Sequence, residues 1–313
     1  MNSVSAGSRH GAEAARSEEP ASVIVALADR MRAGVRSGAF DRMVVPLRGT
    51  VEDAAGTKYI SMPAVSPDYR LFINKTATIV PAGTPGRAAT ITAVVPMFST
   101  VSGELLGVLD GATVTNLKCA AVTALVTDAC AAPDSRLVGI IGSGVQARQQ
   151  YRGISAVREI GEVRIYSRSA KNVQAFARYL EQAGPDELRV TVCDSIEAAS
   201  RGVDILATTT TSVQPLPISD ELPEHVHINC MGAHTTESRE LDQAVLRSGL
   251  LIVEDLATAI AEAGELHRTA LDLAALVARP VDELRGQRTI FSSTGCASLD
   301  LVTCAHLNSA PYG

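Results

Sequence analysis

Two kinds of hydrophobic pattern divide the sequence. Between about residues 42 and 111, short β-rich segments follow one another with turns between them and no helical pattern, which predicts an antiparallel sheet. From about residue 132 to residue 299, strand and helix patterns alternate, which predicts a parallel sheet with right-handed crossovers. We therefore expect an α/β protein, with a Rossmann-type doubly wound parallel sheet and an antiparallel α+β domain.

Helical patterns flank the antiparallel region. Apolar residues recur at helical spacing over 21–37, where Gly38 suits the helix end, and an alanine-rich helix is predicted for 113–131. Residues 1–20 contain almost no large apolar side chain, which is typical of a disordered tail. The strands predicted for the antiparallel region are RMVVPL, KYISMPA, YRLFINKTATIV, AATITAVV and the hairpin MFSTVSGELLGVLDG.

The parallel region ends in a segment that is expected to return to the first domain. A helix is predicted within 291–306, so the domains are predicted as 1–131 with 300–313, and as 132–299. The strands predicted for the parallel sheet are LVGII, EVRIYSR, LRVTVC, DILATTTT, HVHINCMG and GLLIVED.

The stretch RLVGIIGSGVQAR, residues 136–148, predicts a dinucleotide site. A buried strand leads into Gly142, which allows a tight turn, and Gly144 lets a pyrophosphate approach the backbone. The small Ala147 lets the following helix pack closely on the strand, and the helix N-terminus supplies free N–H groups for phosphates. A glycine turn alone occurs in many α/β domains, but its position between a strand and a helix favours nucleotide binding.

Composition narrows the class of protein. The 313 residues are 46% hydrophobic with a net charge of −6 and no basic cluster, which argues against nucleic acid as a partner. Six cysteines without CxxC spacing indicate buried thiols in a reducing compartment rather than disulfides or zinc. No signal peptide or membrane-length apolar run is visible. We expect a cytoplasmic protein without a membrane partner.

A series of motifs resembles the ornithine cyclodeaminase and mu-crystallin family from Arg42 onward. They include RMVVPL, SMPA, INKTAT, SGELLGVLDG, TNLKCAA, GSGVQARQQY, YSRS, VDILATTTTSVQP, INCMGAHTTESREL, AEAGEL and FSSTGCASLD, in this order. The resemblance implies an antiparallel domain that binds substrate and dimerises, a Rossmann domain, and a nicotinamide cofactor between them. Cofactor contacts are then expected from Lys118, Cys119, Gly142, Gly144, Val145, Gln146, Ser167, Arg168, Ser169, Thr208, Thr210, Met231, Gly232 and Ser293.

The end of the second parallel strand predicts NADP(H) rather than NAD(H). An Asp or Glu at this point usually binds the ribose hydroxyls of NAD, but here the strand ends Tyr166-Ser167-Arg168-Ser169. A guanidinium binds a 2′-phosphate with charged hydrogen bonds, whereas a carboxylate would repel it. The alternative is that Arg168 is an ordinary solvated residue after a strand.

On the substrate side, the resemblance points to three cations. Lys75, in an otherwise apolar and Thr-rich strand, matches the active-site lysine of the family, and Arg42 matches an arginine that helps to bind the substrate carboxylate. Lys118 stands where the family nearly always has arginine. Three cations in one cleft would hold an α-carboxylate beside the nicotinamide, but an ammonium cannot form the planar bidentate clamp of a guanidinium.

Two further residues are candidates for catalysis. His234 occupies the position where cyclodeaminases of the family carry a water-activating aspartate, and it is either an acid or base near neutral pH or a loop residue without a chemical role. Asp300, in FSSTGCASLD, either faces the cleft or caps a helix. His225 and His227 with His234 do not form a ligand cluster in the sequence, so no metal is predicted.

These observations predict an NADP(H)-dependent oxidoreductase that acts on the C–N bond of an α-amino or α-imino acid, as a homodimer. Lys75 or His234 would supply the proton to nitrogen. The alternatives are an ornithine cyclodeaminase, which the loss of the aspartate disfavours, and a non-catalytic NADP(H)-binding protein of the mu-crystallin kind.

Overall fold

The computed structural model of the chain describes residues 19–81, 90–232, 235, 236 and 238–309. It contains one antiparallel and one parallel sheet, so the predicted mixed α/β fold is confirmed. The predicted tail lies almost entirely outside the described residues, as does His234.

The antiparallel sheet, which we call the outer sheet, has the order β1-β2-β3-β4-β5, so each strand pairs with its neighbour in the chain. The segment RMVVPL does not contribute a strand: only Val44 forms an isolated bridge, to Val65. Pro46 lacks an N–H group for a ladder bond, and the chain pairs three residues later instead. The strands are β1 (Gly49–Glu52), β2 (Lys58–Ser66), β3 (Leu71–Val80), β4 (Thr90–Ser99) and β5 (Leu105–Asp110).

Helix α2 (Gly111–Cys130) packs against strands of the outer sheet, and α1 (Ala21–Arg36) packs against α2. The Asp110 carboxylate accepts a hydrogen bond from the Thr113 N–H at 2.9 Å and so caps α2. A Cβ at Gly111 would lie 2.3 Å from the Cβ of Ala93, so glycine lets the helix start directly against β4.

The parallel sheet has seven strands in the order β11-β12-β10-β9-β6-β7-β8. Its chain order reverses beside β6, and such a switch point is where doubly wound sheets bind ligands. Six of the strands are predicted from the sequence. The seventh, β12, has only four residues and inserts between β10 and β11. The strands are β6 (Leu137–Ile141), β7 (Glu162–Tyr166), β8 (Arg189–Val192), β9 (Ile205–Thr208), β10 (His227–Cys230), β11 (Leu250–Ile252) and β12 (Thr289–Ser292).

Helices connect these strands, and the last one crosses to the outer sheet. They are α3 (Val145–Ser155), α4 (Ala170–Ala183), α5 (Ile196–Ser200), α6 (Gln243–Arg247), α7 (Leu256–Ala263), α8 (Leu273–Ala278), α9 (Val281–Arg285) and α10 (Ala297–Ser309). Helix α10 contacts α1, α2, β2 and β3, which agrees with the expected return of the chain to its first region.

The largest hydrophobic cluster includes residues from both sheets. Met62 and Ile73 of the outer sheet belong to it, together with Leu125 of α2 and Leu301 of α10. Phe291, on β12 of the parallel sheet, is a fully buried member of the same cluster. The two sheets therefore share one core, although the exact domain boundaries stay a prediction.

Candidate active site

The glycine turn follows β6 as the sequence predicts. Gly142 has a φ of +117°, and a Cβ there would lie 2.3 Å from Oγ1 of Thr209, so glycine is required by conformation and by space. Gly144 precedes α3, and no atom lies within 4 Å of the place where its Cβ would be. In the described part of the chain, no side chain caps the first turn of α3. Its N–H groups are therefore available to an anion.

A cavity of about 450 Å³ opens beside this turn, at the carboxyl ends of β6, β7 and β9. Six of the predicted cofactor residues line it, which supports the assignment of this cavity to a nucleotide. They are Gly142, Gly144, Ser167, Arg168, Ser169 and Thr210.

The end of β7 leaves one positive charge exposed at the cavity. Ser143 and Ser167 join the two strand ends by a hydroxyl–hydroxyl hydrogen bond of 2.8 Å. Ser169 caps α4 by accepting the N–H of Asn172 at 3.3 Å. Within the part of the chain that the structure describes, Arg168 forms no salt bridge or hydrogen bond, and it is exposed. Its guanidinium is thus available to a ligand.

Other predicted cofactor residues lie around the cavity or behind it. Val145 is exposed at the start of α3, and Gln146 donates from Nε2 to Oδ1 of Asn116 on α2 at 3.4 Å. Met231 and Gly232 directly follow β10. Thr208 is fully buried, and its hydroxyl donates to Glu240 rather than facing the cavity.

A buried ionic cluster lies between the outer sheet and α10. The Lys75 ammonium on β3 is 2.5 Å from Oδ2 of Asp300, and the Lys118 ammonium on α2 is 3.5 Å from Oδ1 of the same carboxylate. All three side chains are buried. The structure therefore brings together three of the predicted substrate and catalytic residues.

The charges in this cluster stabilise one another. Burial alone would lower the pKa of the Lys118 ammonium, but the Asp300 carboxylate raises it above its ordinary value. Burial opposes ionisation of Asp300, but Lys118 and then Lys75 lower the pKa of its carboxyl. Lys118 and Asp300 are therefore charged at neutral pH. Cys119, beside Lys118, is buried, and burial raises the pKa of its thiol, so it is protonated.

Arg42 does not join this cluster. Its guanidinium forms a bidentate pair with the Asp68 carboxylate, at 3.0 and 2.8 Å, and donates to the Ser37 carbonyl. The side chain is 50% exposed. The predicted grouping of Arg42 with Lys75 and Lys118 thus differs from the structure, because a nearby aspartate binds the guanidinium at the surface.

Arg48, which no predicted motif role includes, instead binds the loop that borders the cluster. Its Nη2 donates to the carbonyls of Thr294 and Gly295, and its Nε is 2.8 Å from a carboxylate oxygen of Glu262. A Cβ at Gly295 would be 3.5 Å from the Lys118 ammonium. The only sequence signal for Arg48 is the segment PLR, in which this arginine directly precedes β1.

The loop after β12 links the ionic cluster to the parallel sheet. The buried Glu254 carboxylate accepts hydrogen bonds from the Ser293 hydroxyl and from the N–H groups of Thr294 and Gly295. Ser293 also donates its N–H to the Cys230 carbonyl at the end of β10. The predicted cofactor residue Ser293 thus lies at the carboxyl edge of the sheet, with its hydroxyl bonded to Glu254.

His227, on β10, does not act as an acid or base near neutral pH. His227 is fully buried on β10, its Nδ1 lies 2.8 Å from the Thr289 hydroxyl, and burial lowers its pKa to about 3. It is therefore neutral near pH 7. Among the described residues, no group of His, Cys, Asp or Glu side chains is arranged to hold a metal ion.

The fold is that of a Rossmann-type α/β protein: a glycine turn lies at the carboxyl edge of the parallel sheet, and an antiparallel sheet packs with it in one core. The chain belongs to the ornithine cyclodeaminase/mu-crystallin family, whose model matches residues 14–307. The family resemblance inferred from the sequence motifs is thereby confirmed.

Curated relatives are similar over most of their length. The ketimine reductase mu-crystallin of Macropus fuliginosus is 28% identical over 287 residues, which cover 90% of this chain and 90% of that protein. The Delta(1)-pyrroline-2-carboxylate reductase 2 of Burkholderia ambifaria is 31% identical over 269 residues, covering 84% of this chain and 82% of that protein.

Solved structures share the fold. The Delta(1)-pyrroline-2-carboxylate reductase of Thermococcus litoralis, in complex with NADH and L-proline, has a TM-score of 0.83 at 24% identity and covers 94% of both chains. A lysine cyclodeaminase, studied for recognition of L-lysine, L-ornithine and L-2,4-diamino butyric acid, has a TM-score of 0.80 at 25% identity, covering 94% of this chain and 88% of its own. Among the helices that the structure describes, none combines the length and the apolar character needed to span a membrane.

Proposed function

We propose that this chain is a nicotinamide-dependent oxidoreductase that reduces the C=N bond of an α-imino acid, or runs the reverse reaction. The observation that carries this proposal is the buried cluster of Lys75, Lys118 and Asp300 beside the loop after β12. Ligands of doubly wound folds bind at this edge of the sheet. Relatives named ketimine reductase and pyrroline-2-carboxylate reductase support the same reaction type.

The glycine turn fits a dinucleotide cofactor. Gly144 leaves open space above the first turn of α3, and the uncapped N–H groups of that turn suit a pyrophosphate. A nicotinamide cofactor bound here supplies or accepts the hydride. The protein residues bind it, orient it and provide the charges that the imino acid requires.

NADP(H) is the preferred cofactor in this proposal. Arg168 is exposed at the cavity and has no partner among the described residues, and the hydroxyls of Ser167 and Ser169 lie beside it in the chain. A guanidinium with neighbouring hydroxyls suits a 2′-phosphate. The Thermococcus litoralis relative binds NADH, so the choice for this chain depends on its own residues.

The substrate carboxylate would bind to the cationic side of the site. Lys75 and Lys118 present two buried ammonium groups to the one carboxylate of Asp300, and the buried Glu254 carboxylate also acts on Lys118. A substrate carboxylate would therefore bind to the ammonium N–H donors that these carboxylates leave open. Arg48 adds a guanidinium beside Gly295. Its Nε is paired with Glu262, but its Nη1 forms no hydrogen bond among the described residues, and we assign to it the carboxylate-binding role predicted for Arg42. Charges in a buried site interact more strongly than they do in water.

Lys75 is proposed as the proton donor to the imine nitrogen. An ammonium has three N–H donors, and within the described part of the chain only Asp300 accepts from that of Lys75. The remaining donors are available to a substrate. Asp300 orients the ammonium and stabilises its charge. His234, the other predicted donor, lies outside the described residues, and its role stays a prediction.

The outer sheet is proposed to join two copies of the chain. Among the residues that the structure describes, no further strand pairs with either edge of this sheet, β1 or β5, and open edges with apolar side chains favour association. The exposed apolar residues in or near the sheet are Val44, Leu47, Val51, Tyr59, Ile91, Val94, Val101, Leu105, Leu106 and Val108.

We also propose a cytoplasmic location, because no disulfide links any of the six cysteines.

A screen of NADPH oxidation tests the proposed reaction. Cyclic imino acids, and 2-oxo acids supplied with ammonia or an amine, would be offered at saturating NADPH, with Lys75→Ala as the inactive control. We expect substrate-dependent oxidation by the unmodified protein only. Release of proline and ammonia from ornithine would instead favour a cyclodeaminase, and stoichiometric NADPH binding without turnover would favour a binding protein.

A further inference from the structure

A second buried carboxylate, that of Glu240, lies behind the nucleotide cavity. Glu240 is 0% exposed, and among the described residues no Lys, Arg or His side chain lies within 4.0 Å of its oxygens. A buried carboxylate without a cation is costly unless hydrogen bonds stabilise its charge. Its partners therefore indicate why the chain retains it.

The Glu240 carboxylate accepts hydrogen bonds from two strand ends. Oε1 accepts the N–H of Thr210, after β9, at 2.5 Å. Oε2 accepts the N–H of Gly232, after β10, at 2.8 Å, and the hydroxyl of Thr208 at 2.8 Å. The backbone carbonyl of Glu240 accepts the N–H of Leu216 at 2.8 Å. One residue thus holds three segments of the chain.

Two of these segments, at Thr210 and at Leu216, form a wall of the nucleotide cavity. Thr210 and Leu216 line the cavity directly, and Thr209, between Thr208 and Thr210, fills the space that a side chain at Gly142 would need. The contact also explains a glycine outside the glycine turn: a Cβ at Gly232 would lie 2.1 Å from Cδ of Glu240.

We propose that Glu240 is a positioning residue for cofactor binding, which sets the distance between the 209–217 loop and the glycine turn. The proposal rests on the proposed function, because it assigns the cavity to NADP(H). Glu240 does not line the cavity, so it acts through Thr210, Gly232 and Leu216 rather than by contact with the cofactor.

The variant Glu240→Gln tests this role with little change in size. A carboxamide offers one acceptor oxygen and one NH₂ donor. In either orientation the NH₂ group faces a backbone N–H, of Thr210 or of Gly232, so one donor loses its acceptor. We expect KM and Kd for NADPH to rise roughly tenfold. The KM for the imino acid should change less than twofold, because among the described residues no hydrogen bond or salt bridge joins Lys75, Lys118 or Asp300 to this loop.

That separation distinguishes positioning from general damage. A variant that is only less stable would have a smaller active fraction, which lowers the apparent kcat and leaves both KM values unchanged. NADPH fluorescence titrations and steady-state kinetics would be done well below the melting temperature of each variant. Glu221→Gln, an exposed change of the same kind, serves as the control with wild-type values.

Thr208→Val supplies an independent arm if Glu240→Gln folds poorly. Thr208 is fully buried and does not line the cavity, and its hydroxyl bonds Glu240 and the Cys230 thiol. Its loss therefore reaches the cofactor through the Glu240 contacts rather than by contact with the cofactor. We expect about a threefold rise in KM for NADPH, which should disappear when Thr208→Val is added to Glu240→Gln. The proposal would be overturned if the two substitutions raised the KM for NADPH additively, or if Glu240→Gln left the KM for NADPH unchanged. Wild-type protein that binds neither NADPH nor NADH would instead refute the proposed function, and this inference with it.

Discussion

Lys75 and Asp300 are 225 residues apart in the chain, and their side chains form a buried ion pair with an Nζ–Oδ2 distance of 2.5 Å. The pair joins β3 of the outer sheet to the first turn of α10. Its geometry depends on the packing of the outer sheet against the helix that returns from the parallel sheet. The position of the proposed proton donor, Lys75, therefore depends on how α10 packs against the outer sheet.

Lys75→Ala should lower kcat/KM for imine reduction by about 10²- to 10⁴-fold, the contribution typical of one general acid. The affinity for NADPH should stay unchanged, because Lys75 does not line the nucleotide cavity. Single-turnover rates and NADPH titrations measure the two effects separately. Lys58→Ala, an exposed change at the start of the neighbouring strand, is the control. A loss smaller than tenfold would remove Lys75 from catalysis.

Asp300→Asn should destabilise the fold by roughly 3–5 kcal/mol, because it removes the carboxylate with which two buried ammonium groups are paired. Without Asp300, burial lowers the pKa of Lys118. The variant should then gain stability relative to wild type as pH rises from neutral toward the ordinary lysine pKa of about 10.4. Urea unfolding of both proteins across this range measures the difference. A pH-independent difference, or a loss no larger than in exposed Asp282→Asn, would contradict the account.

Arg168→Ala should weaken NADPH binding about 10- to 100-fold, the equivalent of one charged hydrogen bond of roughly 1.5–3 kcal/mol. NADH binding should hardly change, because NADH lacks the 2′-phosphate. Fluorescence titration with each cofactor gives the ratio. Arg136→Ala removes another exposed arginine and should leave both affinities at the wild-type value. Equal weakening of both cofactors in Arg168→Ala would assign the residue to another role.

Arg48 and Arg42 should differ in their effect on substrate binding. Arg48→Ala should raise KM for the imino acid by about tenfold or more, as expected for the loss of a charged partner. Arg42→Ala should change it less than twofold, because Arg42 is already paired with Asp68 at the surface. Steady-state kinetics at saturating NADPH measure both. The reverse order would restore Arg42 as the carboxylate ligand.

Val108→Lys should weaken dimerisation. Val108 lies on the edge strand β5 and is 58% exposed, so a charge there would be buried without a partner in a sheet-to-sheet interface. Light scattering at micromolar concentration should give the dimer mass for wild type and a lower mass for the variant. Val281→Lys on α9, where the valine is 42% exposed, should remain dimeric. A monomeric wild type would contradict the proposed assembly.

The sequence predicts most of the parallel sheet because each long strand is apolar and is followed by a helical pattern. It fails at β12, although other strands of three or four residues are predicted. The TIFS segment that forms β12 contains only two apolar residues, too few to show a strand period. The segment RMVVPL has the composition of a strand, but its proline prevents regular pairing. Whether such a segment forms a strand depends on contacts with residues that are distant in the sequence.

The candidate site is predicted in its residues but not in their pairing. Lys75 lies in an apolar strand, and Asp300 lies in a closing motif where it either faces the cleft or caps a helix, yet no local pattern relates positions so far apart. Arg42 and Arg48 are close in sequence and chemically alike. Only the position of Asp68 shows which guanidinium is already bound at the surface.

The shared core determines the order in which the chain can complete its fold during synthesis. Helix α2 ends at Cys130, and α10, which covers the same core, ends about 180 residues later. At a translation rate of about 5–20 residues per second, this delay is roughly 10–35 s. During that time the inner face of the outer sheet lacks its last cover, and exposed apolar surface promotes aggregation. We therefore expect chaperones to bind, and proteases to cleave, a nascent chain that stalls before Ala297.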